Sequence, residues 1–265
     1  MLLPLLFAGV LAIGVDWRAA WIAAAVFLVA VGLPVCASLL AVERVPRGAD
    51  DTAFSRRAGV RPDWNRAQVL ADPLFWLTIS GVLAPAFIGT TIFFHQDYLV
   101  ALNGWSTIVF ASGFTVMGVV TVVSGLATGV AVDRFSAVRV LPIFVIPLAL
   151  SCLVVGTSAE TWSIYAFFAL LGLSYGMSQT MFGALWPEVY GTAHLGAIRS
   201  LVVAMMVFAT AAGPGLTGWL IDRGVDLPMQ MQFAAVASLA IGLLLLRSSL
   251  AYAARSAVAV PATAK

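Results

Sequence analysis

Charge is scarce in this chain: 10% of its 265 residues are Asp, Glu, Lys or Arg, against 62% hydrophobic, and the mean hydropathy is +1.01. A soluble domain needs a charged exterior, so this composition excludes one. Lysine is absent except for Lys265, which excludes a seven-helix retinal receptor, because its Schiff-base lysine would sit inside a span. The two cysteines, Cys36 and Cys152, lie in separate apolar stretches without metal or disulfide spacing and read as free thiols in helix packing. No Ser–His, paired-acid or metal constellation of an intramembrane hydrolase appears, so neither enzymatic activity nor a cofactor or metal is expected. Basic faces with interleaved aromatics are also missing. The net charge of +2 and pI near 8.7 therefore do not point to nucleic acid.

Long apolar runs are what the chain has in quantity. Windows of about 20 residues, enough to cross a ~30 Å hydrocarbon core as helix, place spans at 21–42, 73–94, 105–132, 140–159, 162–187, 196–221 and 228–246. Period-2 alternation is absent, and isolated segments in lipid must satisfy their own backbone, so the expected class is an all-α polytopic membrane protein partnered by the bilayer. The opening stretch Leu2–Val15 has 14 residues and reaches only ~21 Å as helix. It has no basic n-region, and no small-residue cleavage site precedes Asp16-Trp17-Arg18, which disfavours a signal peptide. The expectation is seven full spans and one shortened one, in a chain that begins partway through its fold. A native short or re-entrant helix is the alternative.

Basic residues set the orientation, because Lys and Arg accumulate on the cytoplasmic side. With Met1 inside and alternating spans, Arg44, Arg47, Arg56, Arg57, Arg61, Arg66, Arg134, Arg139, Arg199, Arg247, Arg255 and Lys265 lie inside, and Arg18 and Arg223 outside. Both termini are thus expected to be cytoplasmic, in a plasma (bacterial inner) membrane.

The expected organisation is residues 1–42 as the end of a first bundle, 43–72 as a cytoplasmic linker, 73–247 as a six-helix bundle and 248–265 as a cytoplasmic tail. Asp72-Pro73 supplies an N-cap and a first-turn proline where the bundle begins. Polarity is uneven: 21–42, 140–159 and 228–246 are almost wholly apolar, whereas 73–94, 105–132 and 162–187 carry interior Ser, Thr, Tyr and Gln. This rhythm suggests triplets whose third helix shields the first two. Gly129-Val-Ala-Val-Asp133-Arg134 and Gly218-Trp-Leu-Ile-Asp222-Arg223 end the middle helices of successive triplets on opposite sides, as an inverted repeat places them.

Gly129, Asp133, Arg134 and Arg139 resemble the cytoplasmic loop motif of the major facilitator superfamily of secondary transporters, with Ser136 where that motif prefers glycine. Asp16-Trp17-Arg18 resembles the family's short outer turn before the sixth helix. Phe93-Phe-His-Gln96, Trp186-Pro-Glu-Val-Tyr-Gly191, His194-Leu-Gly-Ala-Ile-Arg199 and Gly213-Pro-Gly215 resemble bacterial members related to the monocarboxylate and oxalate–formate porters. The resemblance implies a secondary carrier working by alternating access, with the first four of twelve helices missing. A non-transporting remnant or partner-dependent subunit is the alternative.

Candidate residues fall into three groups. His95, Gln96, Ser174, Tyr175, Ser178 and Gln179 supply hydrogen bonds in the polar spans, so they are candidates for the pathway of a small solute not identified from sequence. An imidazole is the side chain suited to a coupling proton, which makes His95 the candidate for one, itself an open question. Asp133, with Arg134, Arg139 and the preceding Gly129, can latch a closed state by capping a neighbouring helix and pairing charges. Gly125, Gly172 and Gly176 allow close helix approach, and Gly213, Pro214 and Gly215 are expected to bend a span. No charged residue lies deep in a span. The related anion porters carry a basic residue in the helix matching Trp105–Val132, and its absence here leaves a monocarboxylate substrate unsupported unless the charge resides in the missing helices.

Overall fold

The computed structural model describes residues 14, 16–41 and 63–258. The shortened opening stretch Leu2–Val15, most of the linker and the last seven residues therefore fall outside the described residues, Gly14 excepted. Two compact units divide after Arg57. The first contains α1, which comprises Trp17–Phe27, a π-helical turn Leu28–Gly32 and Leu33–Leu40. The wider turn falls just before Pro34, whose ring would otherwise meet the carbonyl four residues back.

The second unit holds α2 (Arg66–Ala71), α3 (Pro73–Phe94), α4 (Gln96–Asn103), α5 (Thr107–Phe135), α6 (Ala137–Val140), α7 (Val145–Thr157), α8 (Thr161–Tyr190), α9 (Leu195–Ile221) and α10 (Leu227–Val258). No strand occurs among the described residues. Asp72 caps α3 by accepting from the Leu74 amide at 3.2 Å, with Pro73 in the first turn, as the sequence predicts. Asn65 and Gln68 close a reciprocal capping box at the start of α2.

Six helical stretches among the described residues are long and apolar enough to cross a membrane: Trp17–Leu39, α3, α5, Ala137–Thr157, α9 and Leu227–Arg255. The thirty-residue α8 is long enough but more polar, for it carries the Ser, Tyr and Gln side chains that mark it in the sequence. Several helices outrun their predicted spans. α10 continues through Val258, so residues 248–258, expected as tail, extend the last helix. Hydropathy measures the thickness of the lipid, whereas a helix stops only where its hydrogen bonding is broken.

The helix pairing has an internal symmetry. With α3, α5, α7 as one triplet and α8, α9, α10 as the other, the main contacts are α5 with α8 and α9 with α3, α7 with α8 and α10 with α3, and α7 with α10. Exchanging the triplets maps this set onto itself. Two aromatic-rich cores result. One gathers Phe75, Phe144, Trp186, Tyr190 and Tyr252 where α3 begins and α8 and α10 end. The other gathers Trp105, Phe110, Phe167 and Phe168 at the opposite end.

The two apolar third helices differ. The most apolar stretch of Ala137–Thr157 is 61% buried, whereas that of α10, at 28%, is as outward as α5 at 28% and close to α9 at 22%. Lipid tails and helix cores are equally apolar, so hydropathy alone does not separate the two surroundings.

Candidate functional site

The densest polar construction lies where α2 meets the ends of α8 and α10. Arg255 in α10 grips Asp72 bidentately, Nη1 and Nη2 donating to Oδ2 and Oδ1 at 2.7 and 2.9 Å. The Tyr190 hydroxyl donates to Asp72 Oδ2 at 3.1 Å and meets the Tyr252 hydroxyl at 2.9 Å, which meets Thr78 Oγ1 at 3.2 Å. Since Tyr190 gives its one hydroxyl hydrogen to Asp72, the hydrogen between the tyrosines belongs to Tyr252. The run from Tyr252 through Tyr190 is therefore polarised toward the carboxylate, while Thr78 Oγ1 donates within α3 to the Leu74 carbonyl at 2.8 Å. Burial alone pushes the Asp72 carboxyl up, but Arg255, the Leu74 amide and Tyr190 together hold it below its ordinary value of 3.8. Sequence reading took Asp72 only as a helix cap, and Arg255, Tyr190 and Tyr252 carried no local signal of a shared site.

The predicted pathway residues do not converge. On α8, Ser174 is buried and donates to the Phe144 carbonyl at 2.9 Å, and Ser178 donates within the helix to Tyr175 O at 3.0 Å. Tyr175 crosses to α3, its hydroxyl donating to Pro85 O at 3.0 Å. Gly89 makes room for that ring, since a Cβ there would occupy the hydroxyl's position. Gln179 is exposed, and its carboxamide has no hydrogen-bond partner among the described residues. His95 closes α3 at the other end: Nδ1 bonds the Thr91 carbonyl at 3.0 Å and so carries the proton, while Nε2 faces Gly218 of α9. Gln96 is half-buried in the first turn of α4.

At the junction of α5 and α6, Asp133 and Arg134 in the last turn of α5 and Arg139 in α6 are exposed, and no ion pair joins them among the described residues. Arg134 instead lies over the Phe135 ring, 5.5 Å from its centroid. The amide end of α6 is capped by Glu188 of α8, whose Oε2 accepts from the Ala137 amide at 2.9 Å. Glu188 lay inside a motif quoted from the sequence, but its target was not readable there. Ser136 adopts φ 81°, ψ 152°, the single non-glycine positive φ among the described residues, at the position where the loop motif prefers glycine.

The glycines divide by what faces them. Gly172 and Gly176 of α8 press on the α5 backbone at Met117, Thr121 and Gly125, and Gly125 faces Gly176 in return. Gly129 sits more loosely, beside Thr180. Gly213 seats α9 against Phe87 and Thr91 of α3. Gly215 meets nothing, and α9 runs unbroken through Pro214 from Leu195 to Ile221. One apolar groove of about 520 Å³ runs between α3 and α9, lined by Trp76, Ile79, Leu83, Met205 and Phe208.

Residues 1–198 match the protein-family model described as Major Facilitator Superfamily. No curated protein matches the chain.

Proposed function

Because that match covers 198 of its 265 residues, the chain belongs to the Major Facilitator Superfamily and is a multi-pass membrane transporter of that type, and from this premise we propose that it carries a small solute by alternating access. The site reading rests on one observation. Within the long, polar α8, Ser174, Tyr175 and Ser178 are engaged inside the bundle, whereas the Gln179 carboxamide is exposed and unpartnered among the described residues. An amide at that depth is costly against hydrocarbon, which supports a water-filled pathway on its face. On this reading Gln179 contacts the solute by hydrogen bonds, His95 and Gln96 line the outer mouth, and Asp133, Arg134 and Arg139 close the inner one. The protein resides in the plasma membrane with both termini cytoplasmic. No fixed charge lies near Gln179 on α8, which favours an uncharged, hydrogen-bonding solute.

The test is a thermal-shift screen of the purified full chain against small solutes, followed by uptake of each stabilising solute into proteoliposomes. Uptake should fall in Gln179→Ala and His95→Ala at unchanged protein content. Unchanged uptake in both would remove them from the pathway, and a chain that takes up no solute would instead be a non-transporting or partner-dependent subunit.

A further inference from the structure

The last ten residues of the predicted linker, 63–72, are tied down at both ends, around Asp63–Trp64 and Val69–Asp72, with the exposed Asn65–Gln68 cap between them. Asp63 Oδ1 accepts the amides of Thr192 and Ala193 at 2.9 and 3.1 Å. Gly191, at φ +83°, lets the loop pass under Asp63, because a Cβ there would collide with the carboxylate. Trp64 donates its amide to Tyr190 O at 3.0 Å, sets its ring edge-on to Tyr190 at 5.5 Å and lies 5.9 Å from the Arg255 guanidinium. Val69 is fully buried, and Leu70 O accepts from the Trp76 indole at 2.9 Å. Asp72 then closes the run on Arg255 and Tyr190.

Ten residues thus touch the α8–α9 loop, α3 and α10 together. Tyr190 and Arg255 each meet this segment twice, once at Trp64 and once at Asp72. A plain tether needs none of these contacts. We propose that residues 63–72 are a coupling strap, through which whatever acts on the preceding linker changes the stability of the last turns of α10. Asp63 and Arg255 share no contact, so coupling between them has to pass through Trp64, Tyr190 and Asp72. By linkage it has to run equally in both directions.

The test is hydrogen exchange of the full chain in nanodiscs, read peptide by peptide. In Asp63→Ala and Trp64→Ala, amides 250–255 should exchange at least about tenfold faster, with 95–105 at the opposite end unchanged. Reciprocally, Arg255→Ala should speed exchange at 63–66. Asp63→Asn, which keeps the acceptor oxygen, should leave 250–255 slow. If Asp63→Ala opens only 63–65 and 191–193, or Arg255→Ala leaves 63–66 protected, the strap is a local turn and the proposal fails. Should an alanine variant unfold globally, Trp64→Phe and Arg255→Lys give the same reading, and unchanged protection at the distant partner in both overturns it.

Discussion

Ser136 has a backbone conformation, φ 81° with ψ 152°, that is nearly exclusive to glycine and costs an L-residue roughly 1–3 kcal/mol. Ser136→Gly should therefore stabilise the purified protein by about 1 kcal/mol after the added unfolded-state entropy of glycine is deducted, measured as a rise in Tm. Asp72 gives the opposite case. Arg255→Ala leaves its carboxylate buried without a cation, at a cost of about 2 kcal/mol, less than the 3–5 kcal/mol of a fully buried pair because the guanidinium side chain is 46% exposed. Since Asp72 has a lowered folded pKa, its contribution is complete above the unfolded value of 3.8 and disappears as pH falls through the folded one. An acid limb in the stability profile of the native chain should thus shrink in Asp72→Asn, and an unchanged limb would assign it to other carboxylates. The sequence made the Asp72 cap legible because a cap is local. Its pairing with a residue 183 positions away is a product of the fold.

Four-residue spacing made Gly172 and Gly176 visible as a packing face, but it did not identify the facing helix. The contact with the α5 backbone supplies that, and it predicts a contrast within one helix. A Cβ at Gly172 would come within 2.5 Å of Met117 O, a backbone atom that cannot rotate away, whereas a Cβ at Gly183 meets nothing. Gly172→Ala should push α5 and α8 apart and lower stability by about 1–3 kcal/mol. Gly183→Ala should raise it by up to about 1 kcal/mol through helix propensity. Melting both variants beside the parent checks the pair, and equal shifts would mean that the close approach contributes nothing. The same limit explains α7: its apolar sequence predicts a span, and Ala137–Thr157 is long and apolar enough for one, yet whether lipid or α8 and α10 surround it depends on residues elsewhere in the chain.

At the scale of the molecule, the two Gly-x-x-x-Asp-Arg segments end α5 and α9, and these are the second helices of triplets that the pairing pattern exchanges. The contacts agree with alternating crossings. Asp72, Tyr190 and Arg255 meet at one end with Ala137 bonded to Glu188 nearby on α8, while His95 approaches Gly218 and Trp105 bonds the Ala159 carbonyl at the other. An inverted repeat thus requires the segments after α5 and α9 to open on opposite faces of the membrane, and in the orientation proposed from the excess of arginine the first of them is the cytoplasmic one. In a background with Cys36 and Cys152 replaced by serine, Arg223→Cys should react with an impermeant thiol reagent on intact cells. Phe135→Cys, exposed at the end of α5, should react only after permeabilisation. The reverse pattern would invert the topology while keeping the repeat, and labelling of both from one side would mean that one of the three intervening helices does not cross. The polar α8 is the one to suspect in that case, so the experiment tests its span, the orientation and the repeat together.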